Sequence, residues 1–252
     1  MFNTLLTEYS EYVCKITFNR PHNNNSINVE FLHELNAVFD SIEQDPKYKI
    51  IILQGQNGIF CTGLDFTESS IHTQQQSELF DLYMQMLKRI SLIPKLVIAI
   101  IDGQVVAGGM GILAACDVVT ATPNSTFSLS EALWGLLPAC VIPYLIRRIG
   151  FQNAYRMALT TLPINAQKAC QITLIDELND SPEQYIKQLI IRISKIEQST
   201  VKNIKQYFRK MWIITEEMES EAIGEIKRLL NLPDTQERLK DFIHDKRFPW
   251  EK

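Results

Sequence analysis

The chain has 252 residues, 46% hydrophobic and 21% charged, with a formal net charge of −4. That is the composition of a folded globular protein, and it carries no basic footprint for nucleic acid or anionic lipid. Five cysteines, Cys14, Cys61, Cys116, Cys140 and Cys170, are odd in number and lack CxxC spacing, which excludes a legible zinc or disulfide framework and fits reduced thiols in a cytosol.

The chain opens without the basic start, apolar stretch and small-residue cleavage site of a secretory signal, so a cytoplasmic location is expected. Residues 13–18 alternate as a strand, and Arg20-Pro21 with Asn23, Asn24 and Asn25 ends it in a turn. From Val29 to Ile42, the residues Phe31, Leu32, Leu35, Val38, Phe39 and Ile42 fall at helical spacing behind the cap residue Asn28. Residues 49–55 read as a buried strand, Gln74 to Gln76 as a loop and Ser77 to Ile90 as a helix. Leu96 to Ile101 follows as a strand, the longest apolar run and far too short to cross a bilayer. Gly111 to Ala115 starts a buried helix, and Asp117 to Thr122 supplies the next strand. Beyond Pro163 the pattern turns helical, over Ala166–Gln171, Glu183–Ile196, Ser199–Trp212 and Glu216–Leu230. Alternating strands and helices predict an α/β domain with parallel strands joined by helical crossovers. The division expected is a core over residues 1–195 and a helical region over 196–252.

Two glycine turns carry the chemistry, Phe60-Cys61-Thr62-Gly63-Leu64-Asp65-Phe66 and Val106-Ala107-Gly108-Gly109-Met110-Gly111. Each follows an apolar strand, where ligands of open α/β sheets bind. Glycine lets the backbone approach a ligand closely, and two N–H donors in a dry pocket stabilise charge on a carbonyl oxygen. Taken alone, Gly63 could simply make a tight turn with Asp65 as a cap, and Gly108-Gly109 could simply let a helix pack against a strand. Glu131 has two readings as well. With Ser128 it has the S-x-x-E spacing of a capping box; beside an oxyanion hole it is a general acid or base whose pKa burial raises. Cys140 and Cys61 have apolar flanks that suit buried thiols rather than nucleophiles. The histidines His22, His33, His72 and His244 show no ligand spacing, and no metal site is expected.

In order, Phe18-Asn19-Arg20-Pro21, Ser26-Ile27-Asn28, the turn at 60–66, Ala107 to Asp117, Phe127 to Pro138 and Ile149-Gly150 resemble the enoyl-CoA hydratase/isomerase, or crotonase, superfamily over nearly the whole chain. The resemblance implies a crotonase fold of repeated ββα units, a C-terminal helical trimerisation region, and homotrimers or hexamers. It assigns the oxyanion hole to the backbone N–H groups of Leu64 and Gly108, and matches a catalytic glutamate to Glu131. The superfamily's other catalytic glutamate falls at Gly111, so two-carboxylate hydration is not expected. The Pro138-Ala139-Cys140-Val141 and Phe248-Pro249-Trp250 segments look like the dehydratase branch of polyketide β-branching. That branch removes water from 3-hydroxy-3-methylglutaryl carried on an acyl carrier protein, giving the 3-methylglutaconyl thioester.

On this reading Glu131 takes the proton beside the thioester and returns it to the departing hydroxyl, with Asp65 as the second acid/base candidate. Cys61, Gly109, Gly111 and Cys140 are expected at the substrate pocket. The acyl group arrives as a phosphopantetheine or coenzyme A thioester, and no cofactor, nucleic acid or membrane is expected. Lys88, Arg89, Arg147 and Arg148 are the cations available for the substrate's free carboxylate. Alternatives are decarboxylation of the 3-methylglutaconyl thioester, general enoyl-CoA hydratase or isomerase activity, and a silent homologue that only binds acyl thioesters.

Overall fold

The computed structural model describes residues 2–66, 73–212, 214–245 and 247–251. Its strands come in pairs followed by helices. The first pair is β1 (Leu5–Ser10) and β2 (Val13–Phe18), an antiparallel hairpin closed through Tyr12 at φ 64°. Pro21–Asn23 forms one turn of 3-10 helix, and α1 (Val29–Glu43) starts at Asn28, whose side chain accepts the Phe31 N–H at 2.8 Å. The six apolar residues read from the sequence form its buried stripe, each contributing roughly 1.5–3 kcal/mol by leaving water.

The unit then repeats. β3 (Ile50–Gln54) and β4 (Ile59–Cys61) precede α2 (Thr73–Leu92); β5 (Leu96–Ile101) and β6 (Gln104–Val106) precede α3 (Gly108–Ala115). β7 (Val118–Ala121) and β8 (Thr126–Ser128) lead through a 3-10 turn, Glu131–Trp134, into α4 (Ile142–Thr160). Last come β9 (Ile164–Asn165), α5 (Ala166–Gln171), β10 (Glu177–Leu178), α6 (Glu183–Ile193), α7 (Gln198–Arg209), α8 (Glu216–Leu230) and α9 (Pro233–Asp245).

Both strands of the first hairpin belong to one sheet, while the pairs β3/β4, β5/β6 and β7/β8 are each split between two. A six-stranded sheet runs in the order β1-β2-β3-β5-β7-β10, parallel from β2 onward, and a four-stranded sheet in the order β4-β6-β8-β9. The repeated ββα architecture expected of the chain is therefore present. One apolar cluster joins α1–α4 to the sheets and takes in Ala222, Ile226, Leu230 and Leu239 from the C-terminal helices and Ile214 from the segment before α8. A smaller cluster places Ile186 of α6 over Val13, Ile50, Ile52 and Ile98 on the other face of the large sheet.

Four expectations change. Gln74 to Gln76 belong to α2 rather than to a loop, since the helix begins at Thr73. α3 begins three residues early, because Gly108, Gly109 and Met110 already have helical geometry in spite of glycine's low propensity. The region after Pro163 is not purely helical, as β9 and β10 extend the two sheets; two-residue strands are too short to show periodicity. β1, α4 and α9 also join the elements read from the sequence. His72 lies outside the described residues.

Candidate active site

The small sheet brings the site together. β4, β6 and β8 are parallel neighbours, with Cys61 opposite Val105, and Val106 opposite Ser128. Leu64 comes three residues after Cys61, Gly108 two after Val106, and Glu131 three after Ser128. One edge of carboxyl ends therefore delivers all three.

The two turns touch. A Cβ built on Gly63, which has φ 95°, would lie 2.9 Å from the Gly108 nitrogen and 2.9 Å from the Ala107 Cβ. No larger residue fits there without moving the turns apart. Ala107 sits at φ 49°, ψ −120°, a glycine-favoured conformation whose cost is of order 1–3 kcal/mol. It turns the peptide that carries the Gly108 N–H. Among the described residues neither the Leu64 N–H nor the Gly108 N–H has a protein acceptor. Gly108 is also the first residue of α3, so its N–H belongs to the orphan donors of a helix start.

Leu64, Ala107, Gly108 and Glu131 line a narrow cavity of about 50 Å³ with Phe66, Phe80, Tyr83, Leu136, Leu137, Pro138, Cys140, Val141 and Ile226. The lining is apolar apart from three side chains, Glu131, Tyr83 and Cys140. Two larger hollows of about 820 and 650 Å³ lie along α7 and are lined by neither Leu64, Gly108 nor Glu131.

Glu131 does not close a capping box. Ser128 is the last residue of β8, the 3-10 turn is capped by Ser130 without a side-chain bond, and the Glu131 Oε2 is sealed from solvent with no hydrogen-bond partner among the described residues. Burial pushes its pKa up to about 7, against a smaller pull downward from the backbone N–H groups of residues 131 and 130. A carboxyl that titrates near neutrality can take and return a proton.

Asp65 is elsewhere. Its side chain is 4% exposed and pairs with Arg20 Nη2 at 3.1 Å, while Ser26 Oγ donates to the same oxygen at 2.8 Å. The Arg20 guanidinium also donates to the Ser26 carbonyl. The Asp65 N–H donates to Ile27 O, and Ile27 N–H to Gly63 O, at 2.8 and 2.7 Å. Asp65 thus clamps the first turn on residues 20–27 and is not among the residues that line the cavity.

The pocket expectations divide. Cys140 lines the cavity, its thiol held neutral by burial with a pKa of about 12. Cys61 and Gly109 lie behind the wall: Cys61 is fully buried, and a Cβ on Gly109 would come within 2.5 Å of the Cys61 carbonyl oxygen. Gly111 is also behind it, against Tyr83 and Val141. The four candidate cations have other work. Lys88 pairs with Glu219 and Glu216, and Arg89 with Asp40 and Glu43. Arg147 and Arg148 donate to the carbonyls of Ala114, Cys116 and Leu174.

The sequence reading missed Tyr83. Its signal was indirect, a glycine at 111 with nothing in the sequence to say what occupies the space. Among the described residues there is no cluster of three or more His, Cys, Asp or Glu that could hold a metal ion, and no helix is long and apolar enough to cross a membrane.

Two N–H groups without protein acceptors among the described residues and one carboxyl thus border a single apolar cavity. The family of the chain follows from comparison with known proteins. The enoyl-CoA hydratase/isomerase family pattern matches residues 8–252. The chain belongs to that family and is an enzyme of its hydro-lyase kind. It is 31% identical to the bacillaene synthase dehydratase PksH of Bacillus subtilis, over 99% of this chain and 97% of that one. It is 27% identical to the 2,3-dehydroadipyl-CoA hydratase of Escherichia coli, over 82% of each. Among solved structures, a polyketide biosynthesis enoyl-CoA hydratase from Bacillus subtilis superposes with a TM-score of 0.88 at 30% identity, covering 99% of this chain and 100% of that one. An enoyl-CoA hydratase from Mycobacterium avium superposes with a TM-score of 0.86 at 25% identity and 99% coverage of both.

Proposed function

We propose that the protein removes water from 3-hydroxy-3-methylglutaryl carried as a thioester on an acyl carrier protein, giving the 3-methylglutaconyl thioester. The observation that carries this reading is Glu131, a single carboxyl with one oxygen sealed from solvent and a pKa pushed up to about 7, in the cavity that the hole residues line. The likeness to a named polyketide dehydratase over the full length supports the substrate class.

In the mechanism the thioester oxygen rests on the N–H groups of Leu64 and Gly108, which stabilise the charge that develops as C2 loses its proton. Glu131 accepts that proton, then gives it to the 3-hydroxyl as the C3–O bond breaks, so one carboxyl serves both steps. The chemistry calls for no cofactor. Decarboxylation would need the hole but no base, and the raised pKa of Glu131 favours dehydration.

The test is incubation with 3-hydroxy-3-methylglutaryl loaded separately on acyl carrier protein and on coenzyme A, followed by intact-mass analysis. Loss of one water from the carrier-bound substrate is expected. Loss of carbon dioxide from the 3-methylglutaconyl thioester, without loss of water from its precursor, would select the sister reaction.

We also infer a homotrimer, or a hexamer of two trimers, assembled through the C-terminal region over 196–252 with help from α4. Phe151, Tyr155 and Leu159 form an exposed stripe on α4, and Ile204, Tyr207, Phe208 and Met211 another along α7 and just past its end. Apolar patches of this kind mark association surfaces. Phe208→Glu should shift the molar mass in light scattering from a multiple of three protomers to one; an unchanged mass would place the interface elsewhere.

A further inference from the structure

Tyr83, on α2, is 1% exposed and borders the cavity, whose other polar lining side chains are Glu131 and Cys140. Its hydroxyl donates to the Gly108 carbonyl at 2.5 Å. A Cβ on Gly111 would lie 2.0 Å from the Tyr83 oxygen and 3.2 Å from its ring carbon Cζ. The glycine at 111 is therefore the vacancy into which the phenol fits. A Cβ on Gly108 itself would lie 3.5 Å from the same oxygen, so the phenol borders one residue of the oxyanion hole.

This placement has a chemical consequence, which rests on the dehydration reading above. An acyl chain whose carbonyl oxygen sits on the Gly108 N–H carries C3 two bonds beyond that carbonyl carbon, within reach of a group bordering the same glycine. The phenol proton is committed to the Gly108 carbonyl, which leaves the oxygen's lone pairs to accept. We propose that Tyr83 is a second catalytic residue, whose phenol oxygen accepts a hydrogen bond from the substrate's 3-hydroxyl and turns that hydroxyl's lone pair toward Glu131.

The proton balance needs nothing more. Glu131 takes the C2 proton, and the electron pair moves toward the thioester. The resulting carboxylic acid then protonates the 3-hydroxyl oxygen, the C3–O bond breaks, the pair returns to form the C2–C3 double bond, and water leaves. Tyr83 keeps its proton throughout, consistent with burial holding its pKa well above the ordinary phenol value. The cavity then develops no second buried charge.

The experiment compares two rates in wild type and Tyr83→Phe: dehydration of the 3-hydroxy-3-methylglutaryl thioester, and exchange of C2 protons with deuterium oxide on the 3-methylglutaryl thioester, which lacks the hydroxyl. Dehydration should fall roughly 10- to 100-fold, the scale of one lost hydrogen bond to a reacting group, while exchange stays within about threefold. Gly111→Ala, which forces the phenol oxygen aside, should show the same split. Unchanged dehydration in Tyr83→Phe overturns the proposal. So does a parallel loss of exchange, which would make Tyr83 a prop for the Gly108 peptide alone. A wild-type protein that exchanges C2 protons but releases no water would instead remove the dehydration reading on which the proposal stands.

Discussion

Glu131→Gln will lower dehydration by roughly 10²–10⁴-fold, the range for removing a positioned acid/base group, and will abolish C2 proton exchange on saturated acyl thioesters. Binding of the acyl carrier should persist, because the hole donors are backbone groups of Leu64 and Gly108. In the wild type, kcat/KM should rise with pH through about 7 and then level, since Glu131 must be ionised to act as base and burial has moved its pKa there from 4.5. The same shift makes a stability prediction of opposite sense. A group whose pKa is raised by folding stabilises the native state below its unfolded value, and that contribution is lost as pH rises through the folded value. Wild type and Glu131→Gln should therefore unfold at similar urea concentrations near pH 4, separate progressively between about pH 4.5 and 7, and stay apart above that. By pH 8 the variant should be more stable by up to about 3 kcal/mol, from roughly 1.4 kcal/mol for each pKa unit. A flat pH profile, or a variant that is never the more stable, would show that Glu131 is not the buried titrating group.

Asp65→Ala will be the most destabilising of the charge removals at the site. It takes the carboxylate away from an Arg20 side chain that is 6% exposed and deprives Ser26 Oγ of its acceptor. Breaking a buried pair from one side costs about 3–5 kcal/mol, a fall in Tm of roughly 6–20 °C at this chain length. Asp65→Asn keeps an oxygen toward Ser26 and should lose less. The contrast with Glu131 lies in the pH profile. Any Asp65 variant that folds should keep the rise near pH 7, with turnover reduced only through a loosened Leu64 turn. A variant that lost the pH dependence together with turnover would return Asp65 to the chemistry.

The residues that make the fold are legible where a local rule acts alone. Helix α1 could be read entire, from its Asn28 cap to Ile42, because a six-residue apolar stripe and a capping side chain agree. The same holds for β5, whose run of apolar residues lies between two layers. Helix α4 could not, since Gly150 interrupts it at φ 75°, ψ 163° and Pro143 sits in its first turn. Such an element is held by packing against α3 rather than by propensity. At the site, Leu64, Gly108 and Glu131 followed from turn chemistry and the family resemblance. The contacts of Asp65 and Tyr83 did not, because each is made with a partner at least 25 residues away, Arg20 in one case and Gly108 in the other. The S-x-x-E spacing at 128–131 misled for a related reason. A capping box needs its serine just outside a helix, and here the serine is committed to the small sheet.

The 3-10 turn that carries Glu131 also carries Trp134, whose ring meets Phe242, Phe248 and Trp250 at centroid distances of 5.1, 6.2 and 6.0 Å. Ile226 of α8 completes the cavity wall. A ribosome lays down both glycine turns and Glu131 more than a hundred residues before those aromatics emerge. Until then the 3-10 turn has no aromatic brace and the cavity lacks Ile226. A nascent chain with its two sheets already paired would thus hold the parts of the catalyst without its activity, and competence would arrive late in synthesis, when the aromatic residues fold back over Trp134.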